Sequence, residues 1–552
     1  MRRPERILLA LGLALGCYWR IEGLSRALIY GDEHHTLPAL AQNYGAIVRE
    51  FDSFGSHVVL PFLQKACVEI FGPTIVSFRL PALVPGIAAL PLCYLVARGL
   101  VGTAPALLAT LALAASPIHI FYSRFARSYA LVVLLGLLLV GALRRALAAR
   151  ERAPAGASAA ALLAALLPYT HLTTAGFVAA VAVASLVVAR GGARAASPRP
   201  RPHGVPLAIF GAAALICAAL YVPILGLVRE YLSRVSADET APPAGLLGTA
   251  TLLAGDRDVA LAWLVAIPVG LAALWRARRE SAIWIGAAVV GPLVLVLASR
   301  PPGMEYAYAR YLLISLPFVL MLLAWLVVAA VERVLRARRA ARGAALALGV
   351  ALVAALHVTG PRSPFRPTEG PFGNTYLSLR RLPAFDAPNP ATPRFYEDLA
   401  SEPDSVRVIE FPPRLFRSAL LYRNYFLRHG KETLVGWMDD TPGPLRGGPN
   451  VDLRDPLSVE RSRATYLVVH KNVSTEGTAY WHFVYRKAWL ALRGRSDAGL
   501  MQHHDRFFPD REGLARLAER VAGERRTRYG DPFYEDDLLF VWRLRGAAGA
   551  PP

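Results

Sequence analysis

The sequence predicts a polytopic α-helical membrane protein, with about eleven transmembrane helices ahead of a C-terminal mixed α/β domain. Three observations carry this prediction. Of 552 residues, 54% are apolar and only 18% charged. The apolar residues form continuous runs, such as L-L-I-S-L-P-F-V-L-M-L-L-A-W-L-V-V-A-A-V, and the arginines cluster between the runs. A bilayer core of roughly 30 Å needs about 20 apolar residues per helix, and several runs reach that length. Within lipid the backbone must satisfy its own hydrogen bonds, which makes these runs helices. They lack the alternation of a membrane barrel. The net charge of +21 is accounted for by basic clusters that hold loops in the cytoplasm, and nucleic acid is not an expected partner. The four cysteines, Cys17, Cys67, Cys93 and Cys217, lie in or beside apolar runs without metal spacing and read as small packing residues. The start M-R-R-P-E-R precedes an apolar run with no cleavage pattern, so an uncleaved first helix with a cytoplasmic N-terminus is expected.

Arginine placement orders the spans. Helix one covers about 7–29 and delivers Gly31-Asp32-Glu33 to the outer face; a first outer loop of about 31–79 follows, with short helices lying in the interface. Helices two (about 80–98) and three (about 104–121) lead back and out again to S-R-F-A-R-S. Helix four ends at R-R-A-L-A-A-R-E-R. Helices five and six meet near P-Y-T-H-L-T-T, and six ends at the basic linker 190–203. Seven exits toward R-E-Y-L-S-R-V-S-A-D-E-T, eight returns to W-R-A-R-R-E, and nine emerges at S-R-P-P-G-M-E-Y. Ten ends at R-V-L-R-A-R-R-A-A-R and eleven exits near His357, which puts the tail outside. The segment near 157–170 is short for a span, which leaves a re-entrant hairpin as the alternative for that pair.

A membrane domain of 1–359 thus precedes a soluble extracytoplasmic domain of 360–552. The tail has strand-like runs V-R-V-I-E-F, Y-L-V-V-H and L-L-F-V-W-R-L and a helix-like R-E-G-L-A-R-L-A-E-R-V-A. It shows no catalytic motif. Asp439-Asp440 and Glu535-Asp536-Asp537 read as solvated loop charges, and Asn472-Val473-Ser474 matches a glycosylation sequon of the kind that arises by chance.

Chemistry-bearing residues gather at the outer helix ends. Asp32 and Glu33 follow the first helix, then His34, His35 and, in the same loop, His57. Arg124 and Arg127 stand three apart after helix three, where a helical continuation would place both on one face. His171 lies at the turn after helix five, and Glu305 and Arg310 precede helix ten. The bland reading is a set of interfacial anchors and solvated loop groups. Positive charge on the outer side runs against the inside bias, which favours a binding role for Arg124 and Arg127. Guanidinium groups suit phosphate, because their planar fork donates paired charge-assisted hydrogen bonds. A neighbouring carboxylate suits deprotonation of an attacking hydroxyl.

At these residues the chain resembles the GT-C superfamily of membrane glycosyltransferases, in particular the family 39 type, related to protein O-mannosyltransferases and lipid A aminoarabinose transferases. The motifs run in order through the membrane half: G-D-E-H-H-T, S-H-V-V-L-P-F-L, F-G-P-T-I-V-S-F-R-L-P-A-L, S-P-I-H-I-F-Y-S-R-F-A-R-S-Y-A-L, P-Y-T-H-L-T-T and Y-A-R-Y-L-L-I-S-L-P. The resemblance implies transfer of a sugar from a polyprenyl-phosphate carrier to an acceptor at the extracytoplasmic face. It implies Asp32 as catalytic base with Glu33 beside it, and Arg124 and Arg127, followed by Tyr129, as carrier-phosphate contacts. His57, His171, Arg310 and Tyr311 complete the implied substrate site, and Glu305 is added to it by its place before helix ten. Two departures stand out: Phe125 replaces an acidic residue common in relatives, and His57-Val58-Val59-Leu60 stands where H-P-P-L is frequent. They leave a divalent metal open, with Glu33, His34 and His35 as candidate ligands.

The reading is an inverting hexosyl- or pentosyltransferase of a bacterial inner membrane, with a lipid, glycan or protein acceptor. The rival readings are a transporter or flippase of lipid-linked sugars, which would favour charges buried mid-helix, and a membrane-anchored scaffold.

Overall fold

In the computed structural model the described residues are 3–22, 24–25, 29, 31–51, 58–148, 154–191, 204–237, 245–299, 305–335, 338–353, 392–411, 425–437, 450–471 and 511–544. The chain divides into two compact units. One comprises residues 1–24, 42–67 and 78–380; the other comprises 25–41, 68–77 and 381–552.

The apolar runs form helices in the expected order. They are α1 (Arg3–Ile21), a short α2 (Tyr44–Ile47), α3 (Val59–Phe71), α4 (Ile75–Val101), α5 (Thr103–Ala115), α6 (Pro117–Arg124) and α7 (Tyr129–Ala148). There follow α8 (Pro154–Thr170), α9 (Ala175–Gly191), α10 (Gly204–Tyr221), α11 (Leu225–Ala237), α12 (Leu246–Ala254), α13 (Arg257–Ala277), α14 (Arg279–Ser299), α15 (Glu305–Tyr311), α16 (Leu316–Leu335) and α17 (Arg338–Val353). Every one of the eleven expected spans finds a helix. Among the described residues seven helices are long and apolar enough to cross a membrane alone, and the bent α5–α6 pair makes an eighth. The other three are α8, which is short, and α1 and α17, which carry arginines.

Two expectations shift. Helix one stops at Ile21 instead of about 29, where Arg124 Nη1 takes the carbonyls of Trp19 and Glu22. Helix three is broken, bending by 57° between Ala115 and Pro117. Pro117 has no N–H to donate to Leu113, and Ser116 turns extended.

Packing is graded. The central α4, α7 and α16 are mostly buried, while α10–α11 and α13 turn apolar faces outward, with Leu215 75% and Val222 71% exposed. Such faces suit lipid and would be a liability in water. Gly102, at φ 94°, makes the one-residue turn from α4 into α5. Helix α14 packs on α9, α8 on α7 and α10, and α16 on α5 and α17.

The second unit holds a six-stranded sheet, β1 (Arg407–Phe411), β2 (Glu432–Trp437), β3 (Asn450–Asp452), β4 (Tyr466–His470), β5 (Tyr534–Glu535) and β6 (Leu539–Arg543), in the order β3-β2-β1-β4-β6-β5. Strands β1 to β4 are parallel, and β6 runs antiparallel to both β4 and β5. Alternation along β1, β4 and β6 feeds two cores. Val408, Tyr466, Val468 and Val541 pack with Phe395, Tyr396 and Leu399 of helix Arg394–Ala400. Ile409, Phe411, Leu467, Val469, Phe540 and Trp542 pack with Val521 and Ala522 of helix Arg511–Tyr529. Glu410 and His470 fall on the Tyr396 side and are buried with it: the tyrosine hydroxyl donates to Glu410 Oε1 at 2.7 Å and His470 Nε2 lies 2.8 Å from Oε2.

The acidic turn is engaged more than expected. Glu535 accepts from Lys471 and Arg526, and Asp536 accepts the N–H groups of Leu538 and Leu539. Asp439-Asp440 and the sequon at 472–474 lie outside the described residues. The four cysteines are free thiols, with Cys93 buried.

Candidate functional site

Three of the sequence motifs converge inside the membrane unit. Tyr129 opens α7. His171 follows α8, where it caps a 3-10 turn, Leu172–Thr174. Arg310 and Tyr311 close α15 just before a second such turn, Leu313–Ser315. Each stands at a helix break, so its side chain is fixed by the end of a rigid element. The rings of Tyr129 and His171 lie 5.3 Å apart, those of His171 and Tyr311 also 5.3 Å, and those of Tyr129 and Tyr311 6.4 Å. The guanidinium carbon of Arg310 sits 5.6 Å from the Tyr129 ring centre and 5.2 Å from that of Tyr311. This is cation–π distance to both rings, and it holds the planar fork in one orientation. Thr173 Oγ1 pairs with His171 Nδ1 at 2.8 Å, which fixes the imidazole. Tyr122 packs edge-on to Tyr129 at 4.8 Å, and Phe125 lies 6.1 Å from Tyr122. Tyr129 and His171 are buried. A guanidinium, two phenols and an imidazole in this arrangement suit an oxyanion.

Arg124 and Arg127 are separated by the end of α6. Phe125 is extended, so the helical continuation does not form; the chain turns, with Arg127 N–H donating to Phe125 O at 2.6 Å, before α7 begins. Arg124 Nη1 donates to Trp19 O at 2.8 Å and to Glu22 O at 2.5 Å, capping α1. Arg127 is buried.

Sequence reasoning passed over Arg20. This residue lies on α1, fully buried, and its Nε donates to Ser123 Oγ at 3.3 Å. Nη1 donates to Gly16 O (2.7 Å) and Ala114 O (3.1 Å), and Nη2 to Leu113 O (3.2 Å) and His119 Nδ1 (2.7 Å). The signal was present: an arginine within an apolar run expected to span the membrane marks a functional position by default.

Glu33 and His35 belong to the second unit, in the 3-10 turn Gly31–Thr36 that also carries the backbone of Asp32 and His34. Glu33 is buried and His35 half-buried. The side chains of Asp32, His34 and Glu305, and all of His57, lie outside the described residues. Among the described residues no group of three or more His, Cys, Asp or Glu gathers for a metal.

No protein-family model and no curated protein sequence matches the chain. Among solved structures it is similar to ArnT from Cupriavidus metallidurans in the apo state, with 13% identity and a TM-score of 0.49 over 78% of this chain and 85% of that one. ArnT bound to undecaprenyl phosphate gives 14% identity and the same TM-score over 77% and 85%. The Archaeoglobus fulgidus oligosaccharyltransferase in the apo form gives 12% and 0.46 over 86% and 71%.

Proposed function

We propose that the chain is a GT-C-type glycosyltransferase that moves a sugar from a polyprenyl-phosphate carrier to an acceptor hydroxyl at the extracytoplasmic membrane face. The observation that carries this reading is the convergence of Tyr129, His171, Arg310 and Tyr311. These residues come from three distant motifs of the family resemblance, and they form an anion-suited group at helix ends of a membrane bundle.

In this reading Asp32 accepts the proton of the acceptor hydroxyl as its oxygen attacks the anomeric carbon with inversion. The bond to the carrier phosphate breaks, and the leaving phosphate is stabilised by Arg127 and Arg310, with Arg124 alongside. The phosphate brings its own charge, so the enzyme's work is positioning and electrostatic stabilisation. Glu33 is the sequence neighbour of the base Asp32, and His57 and Glu305 are assigned to substrate binding. The N-terminus is cytoplasmic and residues 360–552 extracytoplasmic. A divalent metal, where one is held, would be sought at Glu33, His34 and His35.

The test is turnover of a polyprenyl-phosphate sugar by the full chain in liposomes. Asp32→Asn is expected to lower it by at least about 10²–10⁴-fold with helical content and carrier binding retained. Wild-type-like transfer by that variant ends the assignment of Asp32, and sugar uptake without covalent product replaces the transferase with a transporter.

A further inference from the structure

We propose that Arg20 is a positioning residue for Arg127, holding the break between α5 and α6 and thereby fixing the turn that carries Arg127; its functional consequence rests on the glycosyl-transfer reading. Pro117 cannot donate to Leu113 O, and the bend carries α6 away from the α5 axis, so the last α5 carbonyls lose their ordinary helical donors. Arg20 supplies a donor to Ala114 O and a second donor to Leu113 O, which also accepts from Ser116 N–H at 3.3 Å. The same guanidinium then reaches across the break to His119 and Ser123 on α6. An arginine has five N–H groups, and all five here meet an acceptor, every one neutral. The carbonyl end of α5 offsets part of the buried charge through its dipole.

The sequence clears space for this node on both sides. A Cβ at Gly16 would meet Leu90 Cδ1 at 2.7 Å and Ala114 Cβ at 3.0 Å, and one at Gly86 would meet Ser123 Oγ at 2.2 Å. Helices α1, α4, α5 and α6 thus close on one guanidinium. Helix α6 ends at Arg124 and Arg127 follows in the next turn, so the direction of α6 sets the position of Arg127.

The experiment uses the full chain in lipid nanodiscs. Hydrogen exchange without carrier is expected to rise about tenfold across 117–128 in Arg20→Met, while α7, α9 and α14 keep their protection. Arg20→Lys, with three donors in place of five, is expected not to restore it. Unchanged exchange over 117–128, or full rescue by lysine, overturns the proposal. Should Arg20→Met fail to insert, His119→Ala removes one acceptor only and is expected to give a smaller rise confined to the same segment; no rise there also overturns it.

Undecaprenyl phosphate binding gives the functional arm. Arg20→Met is expected to weaken it about tenfold, and Arg20→Met with Arg127→Met to fall within about threefold of Arg127→Met alone, because both act through one group. Multiplicative losses overturn the link to Arg127. A wild-type protein that binds no carrier overturns the transferase reading, and the exchange measurement still decides the role of Arg20.

Discussion

The guanidinium of Arg124 closes α1 by donating to the carbonyl of Trp19 at 2.8 Å, while Arg20 of α1 closes α5. An arginine at the end of α6 thus caps α1, and an arginine of α1 caps α5. Removing Arg124 leaves two helix-terminal carbonyls without that donor, a loss of about 1–3 kcal/mol. Arg124→Met is therefore expected to lower the thermal midpoint in detergent as well as activity. An activity loss with an unchanged midpoint would show that Arg124 acts on substrate alone.

Arg310 makes a different prediction, because it lies against two aromatic rings, with Nη2 also donating to the Tyr311 hydroxyl at 3.4 Å. Cation–π contact is worth about 0.5–2 kcal/mol when desolvated, and lysine lacks the planar fork. Arg310→Lys is expected to raise KM for the lipid carrier about tenfold, with kcat changing less. Tyr129→Leu, which removes one of the two faces, is expected to move KM in the same direction. The check is a carrier titration of each variant in liposomes; unchanged KM in both removes Arg310 from the carrier site.

The helices were legible because continuous apolar runs admit one solution in lipid. Their order and the motifs at their ends followed from arginine placement. Helix interruptions were less visible: Pro117 stood in the sequence, but Pro81, Pro85 and Pro91 lie within an unbroken α4. Whether a proline breaks a helix depends on which donors reach the freed carbonyls, and at α5 Arg20, far away in sequence, joins the Ser116 N–H in reaching them. In the second unit β1, β4 and β6 read clearly, being branched and aromatic. β2, with Gly436 inside it, and the two short edge strands carried little pattern. The Glu410–His470 contact joins strands through a parallel register that no local signal encodes.

Acid should loosen the second unit through His429. Burial, reinforced by Lys431, pushes its imidazole down from 6.5 to about 3, and the ring is nearly parallel to that of Tyr396, with centres 5.6 Å apart. The unfolded chain takes up a proton below about 6.5 that the folded unit refuses until about 3. Stability from this group is full above the unfolded value and is lost as pH falls through that window, by at most about 1.4 kcal/mol per pH unit. Hydrogen exchange of β1 and β4 in the full chain between pH 7 and 4 checks it. The slope is expected to shrink in His429→Phe, and a slope equal to wild type would assign the acid response elsewhere.

Glu410 gives the sharpest stability prediction, since its carboxylate is wholly buried and accepts from Tyr396 while His470 Nε2 lies 2.8 Å from its other oxygen. Taking away the carboxylate leaves the Tyr396 hydroxyl and His470 Nε2 with their 3.2 Å contact to each other in its place, and losing that buried partner costs about 1–3 kcal/mol. Replacing the whole network with apolar groups of similar size returns much of that loss, because no group is then buried without a partner. Glu410→Leu alone is expected to expose β1 and β4 to exchange and to protease. Glu410→Leu combined with Tyr396→Phe and His470→Leu is expected to recover most of the protection. A triple variant no better protected than the single one would mean that the three side chains hold the sheet through shape and not through their hydrogen bonds.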